Sequence, residues 1–175
     1  MVIREASKFD IDAVEQGYIE LLTYEKKYGS NSNWVLGLYP TRAVAEKSCL
    51  ERTLYVLLED DEVCASMILN QFQPEEYKKI EWIYPANSQE VLVIHTLCIT
   101  PARSRKGFGK EMVNFAIVKA KQMGCKAIRL DTWAENKPAI TLYNKLGFKY
   151  AGKTNILLQG LIPEEQVFLE KEIKS

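Results

Sequence analysis

Hydrophobic residues recur along the chain with two different periods, and each period predicts a different kind of element. In the first half, apolar residues three or four positions apart predict a helix that begins at Asp10 or Asp12 and ends near Gly29, and a second helix over residues 43–51. Four consecutive acids at residues 59–62 predict the turn of an antiparallel hairpin. Short apolar runs predict strands over residues 2–6, 54–58 and 63–69.

The second half of the chain alternates strands with helices. Residues 91–99 are apolar on both faces, as expected of a strand buried between layers. A helix over residues 107–123 follows with Gly124 as its cap, and then a strand over residues 127–133 and a helix that Asn136 caps. Two closing strands are predicted over residues 148–153 and 166–173, with a turn signal at Gly160 and Pro163, and residues 73–88 are interpreted as a loop.

A basic loop with two glycines joins the strand over residues 91–99 to the helix that follows it. The first turn of a helix leaves about four backbone N–H groups without partners and carries a partial positive charge, so an anion is stabilised there. Gly107 and Gly109 remove the Cβ atoms that would keep phosphate oxygens away from these groups. Four cationic side chains precede the first acid, Glu111: Arg103, Arg105, Lys106 and Lys110. The loop therefore predicts a diphosphate site.

Two better-known glycine loops fit these residues poorly. A Walker A loop requires Ser or Thr after its Gly-Lys pair, and Glu111 stands there. A dinucleotide-binding fingerprint requires a third glycine, where the chain has Met112. Because Asp131 follows about 20 residues later, as that fingerprint demands, a nucleotide-binding protein stays open as an alternative.

Composition and charge favour a single domain over residues 1–175. The chain is 47% hydrophobic and 26% charged, which suits one sizeable core. Lys+Arg and Asp+Glu balance at 23 each, so no global field attracts nucleic acid or an anionic membrane, and we expect neither as a partner. The basic loop is a local feature.

Cysteine usage and the N-terminus give two further expectations. Four scattered cysteines without a C-x-x-C pair and a single histidine predict no metal site and buried reduced thiols. The N-terminus lacks the apolar core of a signal peptide, and no apolar run approaches the roughly 20 residues that span a bilayer. We therefore expect a cytoplasmic protein.

Four motifs stand out in the second half of the chain. They are Leu97-x-Ile99-x-Pro101, Arg105-Lys106-Gly107-Phe108-Gly109-Lys110, Asn136, and Ala139-x-x-Leu142-Tyr143-x-x-x-Gly147-Phe148. Together these motifs resemble the GCN5-related N-acetyltransferase (GNAT) family. The resemblance covers nearly the whole chain, and it implies an α/β fold with a central mixed sheet, flanking helices and splayed central strands. One position departs from the family pattern: Ser104 stands where Gln or Arg is usual.

The resemblance implies that acetyl-CoA is the co-substrate and assigns residues to it. Backbone groups of Leu97, Cys98 and Ile99 would hydrogen-bond the pantetheine arm, somewhat as an added strand would. The basic loop and its flanks, together with three residues at or within the helix that Asn136 caps, would complete the site. These residues are Arg103, Ser104, Arg105, Lys106, Gly107, Phe108, Gly109, Lys110, Asn136, Ala139 and Tyr143.

Transfer of an acetyl group to an amine needs a base, an oxyanion stabiliser and a proton for the leaving thiolate. The family position of Tyr143 assigns the last role to it, whereas the alternative is a core tyrosine whose hydroxyl finds a backbone partner. His95, with an ordinary pKa near 6.5, is a candidate base if no bulge separates it from the face of Leu97. A lone histidine in an apolar strand is more often structural, so both roles stay open.

The sequence thus predicts an N-acetyltransferase that works by direct transfer in a ternary complex. Cys98 lies in an apolar strand, where burial raises a thiol pKa and makes an acyl-cysteine unfavourable. The acceptor, a small-molecule or peptide amine, is not identified, and monomer and homodimer are both compatible. An alternative from another class is a catalytically inactive CoA-binding regulatory or sensor module.

Overall fold

Seven strands and four helices make up the computed structural model, which describes residues 1–174. The strands are β1 (Val2–Glu5), β2 (Leu54–Glu59), β3 (Glu62–Asn70), β4 (Val91–Ile99), β5 (Ala127–Trp133), β6 (Lys149–Leu158) and β7 (Ile162–Glu172). The helices are α1 (Ile11–Tyr28), α2 (Arg42–Leu50), α3 (Phe108–Gln122) and α4 (Lys137–Lys145).

The strands form one mixed sheet in the order β1-β2-β3-β4-β5-β7-β6. Strands β4 and β5 are parallel, whereas β1 with β2, β2 with β3, β5 with β7, and β6 with β7 are antiparallel. The predicted α/β class with a mixed sheet and flanking helices is confirmed. Within residues 1–174, no helix combines the length and apolar composition needed to cross a bilayer.

The chain divides into two compact units. The first contains residues 1–30, 34–69 and 95–115, and the second contains residues 31–33, 70–94 and 116–175. Strand β4 runs from the second unit into the first, and helix α3 begins in the first and ends in the second. Neither unit is therefore a continuous stretch of sequence.

In the first unit, α1 packs an apolar stripe onto the sheet. Val14, Tyr18 and Leu22, four residues apart, are all buried, as the helical period predicted. A capping box precedes the helix, in which Asp10 accepts from the Ser7 backbone N–H at 2.7 Å. Gly29 ends the helix with a φ of 110°. Local signals thus define both ends of α1.

The β2–β3 hairpin has a tighter turn than the run of four acids suggested. Its turn residues are Asp60 and Asp61, with φ of 52° and 62°, and such paired positive angles match the right-handed twist of the flanking strands. Glu59 and Glu62 pair with each other as the last residues of the strands. Their carboxylates are therefore fixed at the end of the hairpin.

In the second unit, β6 and β7 are longer than the sequence predicted. Leu158 and Ile162 are the last paired residues of the hairpin, so the turn consists of residues 159–161. The expectation that Pro163 belongs to the turn was wrong. Pro163 pairs with β6, whereas pairing of β7 with β5 begins only at Gln166, so the missing N–H of the proline breaks no bond to β5.

A buried ion pair anchors the loop over residues 73–88 in the second unit. Arg129 and Glu170 are 7% and 0% exposed, and their Nε and Oε1 atoms lie 3.0 Å apart. Glu170 also accepts from the backbone N–H groups of Ile83 and Tyr84 at 2.7 and 3.2 Å. Arg129 donates to Gln73 Oε1 at 2.9 Å and to the Tyr84 carbonyl at 3.2 Å. Every charged atom of this pair has a partner, so the loop is held by the sheet.

Replacement of Glu170 by alanine should destabilise the protein severely. It leaves Arg129 buried without its counter-ion, a change that costs about 3–5 kcal/mol in other proteins. Equilibrium urea unfolding measures the loss. The matched control is Glu172→Ala on the same strand, where an exposed pair with Lys174 is removed and a change below about 1 kcal/mol is expected. Equal losses in the two variants would contradict the role assigned to Glu170.

Candidate functional site

The N-terminus of α3 presents a run of open backbone N–H groups. The N–H of Ser104 donates to the Pro101 carbonyl at 3.1 Å, and that of Glu111 donates to the Gly107 carbonyl at 3.1 Å. Between them, the six N–H groups of residues 105–110 have no hydrogen-bond partner in the described part of the chain. They form a cradle for an anion at the positive end of the helix dipole.

Backbone conformation keeps this cradle open. Arg105 and Gly107 have φ of 63° and 84°, in the left-handed region, which turns successive N–H groups toward the same side. A Cβ built on Gly107 would meet no atom within 4 Å, so the space beside it is available to a ligand. The geometry fits the diphosphate that the sequence predicted.

The four basic side chains of the loop divide into two pairs. Arg103 donates to Glu59 at 3.2 Å and to Glu62, and Lys106 donates to Glu59 at 3.1 Å. These two cations are thus bonded to the end of the β2–β3 hairpin and anchor the loop. Arg105 and Lys110 are exposed and make no ion pair within residues 1–174. They are the side chains free to meet phosphate oxygens, and Ser104, also exposed, adds no charge.

Strand β4 leaves one of its edges open beyond its first residues. It pairs with β5 only over Val91–Val93, and the following residues of β5 pair with β7. Leu97, Cys98 and Ile99 therefore have no partner on β5. Backbone groups at such an edge can bind an extended ligand in the manner of an added strand.

An irregularity in β4 separates His95 from Leu97. Thr96 has a φ of 49°, rare for a β-branched residue, and its Oγ1 forms a hydrogen bond with the Tyr39 hydroxyl. The prediction placed His95 on the face of Leu97 if no bulge intervened. Thr96 departs from strand geometry between them, whereas His95, Leu97 and Ile99 are all partly exposed and Thr96 and Cys98 are buried. His95 is partly exposed, and its catalytic role stays a prediction.

Cys98 is buried and chemically quiet. Its Sγ contacts the Gly17 carbonyl at 3.7 Å. Burial, with a further contribution from the charges of Glu25 and Glu20, raises the pKa of the Cys98 thiol to about 12. At neutral pH almost no thiolate forms, so the thiol is a poor nucleophile.

In the second unit, Asn136 caps α4 as predicted. Its Oδ1 accepts from the Ala139 backbone N–H at 3.2 Å, and its Nδ2 donates to Thr132 Oγ1 at 3.2 Å. Ala139 is partly buried in the first turn of the helix. The cap orients this turn, and the coenzyme contacts of both residues stay predictions.

Tyr143 on α4 lacks the backbone partner that a purely structural role would give it. Its ring packs edge-on against Phe148 with centroids 5.2 Å apart, and the residue is 4% exposed. Within residues 1–174 its hydroxyl has no hydrogen-bond partner, yet that atom is not fully buried. Burial, followed by the charge of Asp131, raises the pKa of Tyr143, so the hydroxyl keeps its proton at neutral pH.

From the sequence, Asp131 was considered only as the acidic residue of the dinucleotide-binding alternative. Tyr77 donates its hydroxyl to Asp131 Oδ1 at 2.5 Å, and Asp131 lies near enough to Tyr143 to influence its titration. Burial raises the pKa of Asp131 from 3.8 to about 6, partly offset by the bond from Tyr77 and reinforced by Glu164 and Glu76. A lone acid in the apolar stretch AIRLDTW was the available signal.

Comparison with known proteins places the chain in a family. The model of the GNAT acetyltransferase family matches residues 19–148, about three quarters of the chain. The chain belongs to the GNAT acetyltransferase family. Its GNAT match thus includes α2, the open β4 edge, the α3 loop and α4.

Relatives of this GNAT chain agree with that placement. A Methanocaldococcus jannaschii protein named as an uncharacterized N-acetyltransferase is 37% identical over 68 residues, which are 39% of this chain and 30% of that protein. The chain thus matches less than a third of the length of this curated relative.

Solved GNAT structures share the fold. A GNAT-family acetyltransferase from Streptococcus agalactiae superposes with a TM-score of 0.82 at 23% identity, covering 99% of this chain and 95% of the other. The yncA structure from Salmonella typhimurium, with its cofactor acetyl-CoA, has a TM-score of 0.70 at 15% identity, covering 99% and 94%. At these identities the likeness concerns the fold.

Asp131 should make the stability of the protein depend on pH in a defined direction. Because the pKa of Asp131 is raised in the folded state, the folded protein favours the protonated carboxyl. The stability that this proton contributes is fully present below about pH 4 and is lost as the pH rises through about 6. Asp131→Asn cannot ionise. At pH 8 the free energy of unfolding of this variant should exceed that of the wild type by on the order of 3 kcal/mol, at about 1.4 kcal/mol per pKa unit.

Thermal unfolding at pH 4 to 8 measures this gap between Asp131→Asn and the wild type. The gap should open between pH 4 and 6 and stay open above. Glu81→Gln, an exposed acid-to-amide change in the same unit, is the control and should show no such opening. A gap that is constant, or that favours the wild type at pH 8, would contradict the assigned pKa.

Proposed function

We propose that the protein is an N-acetyltransferase that moves an acetyl group from acetyl-CoA to a primary amine by direct attack. The observation that carries the proposal is the run of six open N–H groups over residues 105–110 at the start of α3. Family membership supports it, because the motifs that match the family coincide with this run and with Tyr143.

The diphosphate of acetyl-CoA fits the cradle by charge and by shape. Its oxygens would accept hydrogen bonds from the N–H groups of residues 105–110, and Arg105 and Lys110 would add charge-assisted contacts. Arg103 and Lys106 would contribute indirectly, because their ion pairs with Glu59 and Glu62 hold the loop in its open conformation. Ser104 at the loop entrance contributes no cation.

The pantetheine arm would lie along the open edge of β4. Backbone groups of Leu97, Cys98 and Ile99 supply donors and acceptors there, since β5 does not pair with them. We further assign Asn136 and Ala139, in the first turn of α4, to the thioester end of the arm. This assignment rests on their match to the family motif.

Direct transfer is favoured over an acyl-enzyme because the candidate nucleophile is inert. The pKa of the Cys98 thiol is raised to about 12, so a thiolate is scarce at neutral pH. The acceptor amine itself then attacks the thioester carbonyl. His95 is a candidate to take the ammonium proton, because an imidazole can act as a base at neutral pH.

Tyr143 is assigned to the leaving sulfur. Its hydroxyl stays protonated and has no partner in the described residues, so it is available to donate to the thiolate as the C–S bond breaks. The proton that it gives is restored from the acceptor nitrogen, which must lose one to become an amide. The products are the acetylated amine and the free thiol of CoA.

The first test removes the two free cations of the loop. Arg105→Ala/Lys110→Ala should weaken acetyl-CoA binding at least tenfold, because each charge-assisted hydrogen bond contributes about 1.5–3 kcal/mol. S-acetylpantetheine, which lacks the diphosphate, should bind equally to variant and wild type. Calorimetry measures both ligands, with Lys121→Ala at the far end of α3 as the control. Unchanged acetyl-CoA affinity in the double variant would refute the diphosphate site.

The second test removes one oxygen atom, that of the Tyr143 hydroxyl. Tyr143→Phe should lower kcat about a hundredfold, as expected of a lost proton donor, and leave the affinity for CoA unchanged. Release of free thiol from acetyl-CoA with a panel of amines measures turnover. A variant as fast as the wild type would exclude Tyr143 from the chemistry. A wild type that binds acetyl-CoA but acetylates no amine would favour the inactive CoA-binding module.

A further inference from the structure

A cavity of about 230 Å³ lies within the second unit, beside Asp131. Its walls combine apolar side chains with two acids, and they contain no lysine, arginine or histidine. The lining residues are Pro74, Glu76, Tyr77, Asp131, residues 156–160, Gln166 and Phe168. The cavity is therefore largely apolar, and its charged groups are the acids Glu76 and Asp131.

This negative charge is not neutralised by the protein. Asp131, Glu76 and the neighbouring Glu164 make no ion pair within residues 1–174. Glu164 is 7% exposed, and its two oxygens accept only from the neutral amides of Asn33 at 2.9 Å and Gln166 at 2.6 Å. Burying carboxylates without a cation is costly, so the site is suited to a ligand that brings one.

Asp131 is held in one orientation and reaches the cavity. The Tyr77 hydroxyl donates to its Oδ1 at 2.5 Å, and Tyr77 is fixed in turn by edge-on packing of its ring against Phe168 at 5.4 Å. Although protein atoms surround Asp131, the residue keeps part of its surface accessible, as expected in a cavity wall. The charge of Asp131 also raises the pKa of Tyr143, so the two side chains lie near each other.

We propose that this cavity binds the ammonium group of the acceptor and that Asp131 is both its counter-ion and, in place of His95, the base that takes its proton. The inference rests on the proposed acetyl transfer and names the substrate class: a primary aliphatic amine that is cationic in solution. The unbranched alkyl chain of the amine would lie against the apolar part of the wall formed by Ile156, Leu157 and Phe168.

The size of the cavity limits the acceptor. Drug-sized ligands occupy pockets of about 300–1,000 Å³, and this cavity is smaller. An aliphatic ammonium chain fits it, whether the chain belongs to a free amine or to a lysine side chain. Bulky amines such as multi-ring aminoglycosides do not fit inside it.

The proton transfers balance with Asp131 in this role. The ammonium gives one proton to the Asp131 carboxylate, and the neutral nitrogen then attacks the thioester carbonyl. The N–C bond forms, the C–S bond breaks, and the second nitrogen proton reaches the sulfur through Tyr143. The third proton stays on the amide, and Asp131 releases its own proton to water. The net products are amide, free thiol and one proton.

The reaction should therefore require the ionised form of Asp131. Its pKa is raised to about 6, so activity falls as the pH drops below 6. Four groups face this carboxyl. Glu164 and Glu76 raise its pKa, the Tyr77 hydroxyl lowers it, and the neutral Tyr143 lies close enough for the charge of Asp131 to raise the pKa of its hydroxyl. Tyr77→Phe should consequently move the acid limb of the pH profile upward.

The test measures binding and turnover separately on the full chain. Calorimetry at pH 7.5 compares n-butylamine and 1,4-diaminobutane with the neutral 1-butanol, and N-acetyl-lysine N-methylamide represents a lysine side chain. Turnover with each amine is measured from pH 5 to 9. The variants are Asp131→Asn, Tyr77→Phe and, as a matched exposed control, Glu81→Gln.

Asp131→Asn should weaken amine binding at least tenfold, lower kcat/KM at least a hundredfold and remove the acid limb near pH 6. Tyr77→Phe should keep turnover with its acid limb shifted upward, and Glu81→Gln should match the wild type. A preference for the free amines over the lysine derivative, or the reverse, identifies the source of the ammonium.

Two outcomes separate this inference from the proposed function. If the wild type acetylates an amine but Asp131→Asn keeps the same kcat/KM and acid limb, the role of Asp131 is overturned and acetyl transfer stands. If amines bind in an Asp131-dependent way but no acetyl is transferred, the ammonium site stands and the transferase activity fails. A wild type that neither binds nor acetylates any of these amines overturns the site.

Discussion

The account of function depends on one physical constraint, which is that backbone N–H groups without partners need an acceptor. Residues 105–110 leave six such groups at the start of α3, where the helix dipole adds positive potential. The ion pairs from Arg103 and Lys106 to the β2–β3 hairpin hold the loop so that these groups face outward. A diphosphate would satisfy both the hydrogen bonds and the charge, and this is the basis for the proposed use of acetyl-CoA.

Two charged residues on β5 illustrate how the same strand serves stability and chemistry. Arg129 and Asp131 are two positions apart and so share a face of the strand. Arg129 is paired with Glu170 and donates to two further acceptors, Gln73 and the Tyr84 carbonyl, so it holds the loop over residues 73–88. Asp131 has a neutral donor, Tyr77, but no cation in the described residues. The charge of Arg129 is thus balanced within the protein, whereas that of Asp131 would be balanced by the proposed ammonium ligand.

Sequence reasoning found the features whose causes are local. The limits of α1 and α4 follow from Gly29 and Asn136, which act within a few residues, and the α3 loop follows from its own glycines. The lengths of β6 and β7 were underestimated, because pairing across the hairpin, and not the apolar period, extends β6 to Leu158 and β7 back to Ile162. Their pattern is weak since many of their side chains lie exposed.

The parts of the site that the sequence missed depend on distant contacts. Arg103 meets Glu59 and Glu62, 44 and 41 residues away, so its role as an anchor could not be distinguished from phosphate binding. Asp131 meets Tyr77 across 54 residues, and its pKa is set by burial in the fold, by this contact and by the surrounding acids. The position of Asp131 in strand β5 does not by itself reveal this contact or this pKa.

The most direct measurement follows the backbone amide resonances of residues 105–110 by ¹H–¹⁵N NMR while acetyl-CoA is added. The account predicts that these six signals shift downfield together as the diphosphate accepts their hydrogen bonds, and that S-acetylpantetheine leaves them in place. Binding of acetyl-CoA that leaves these six signals unmoved would contradict it.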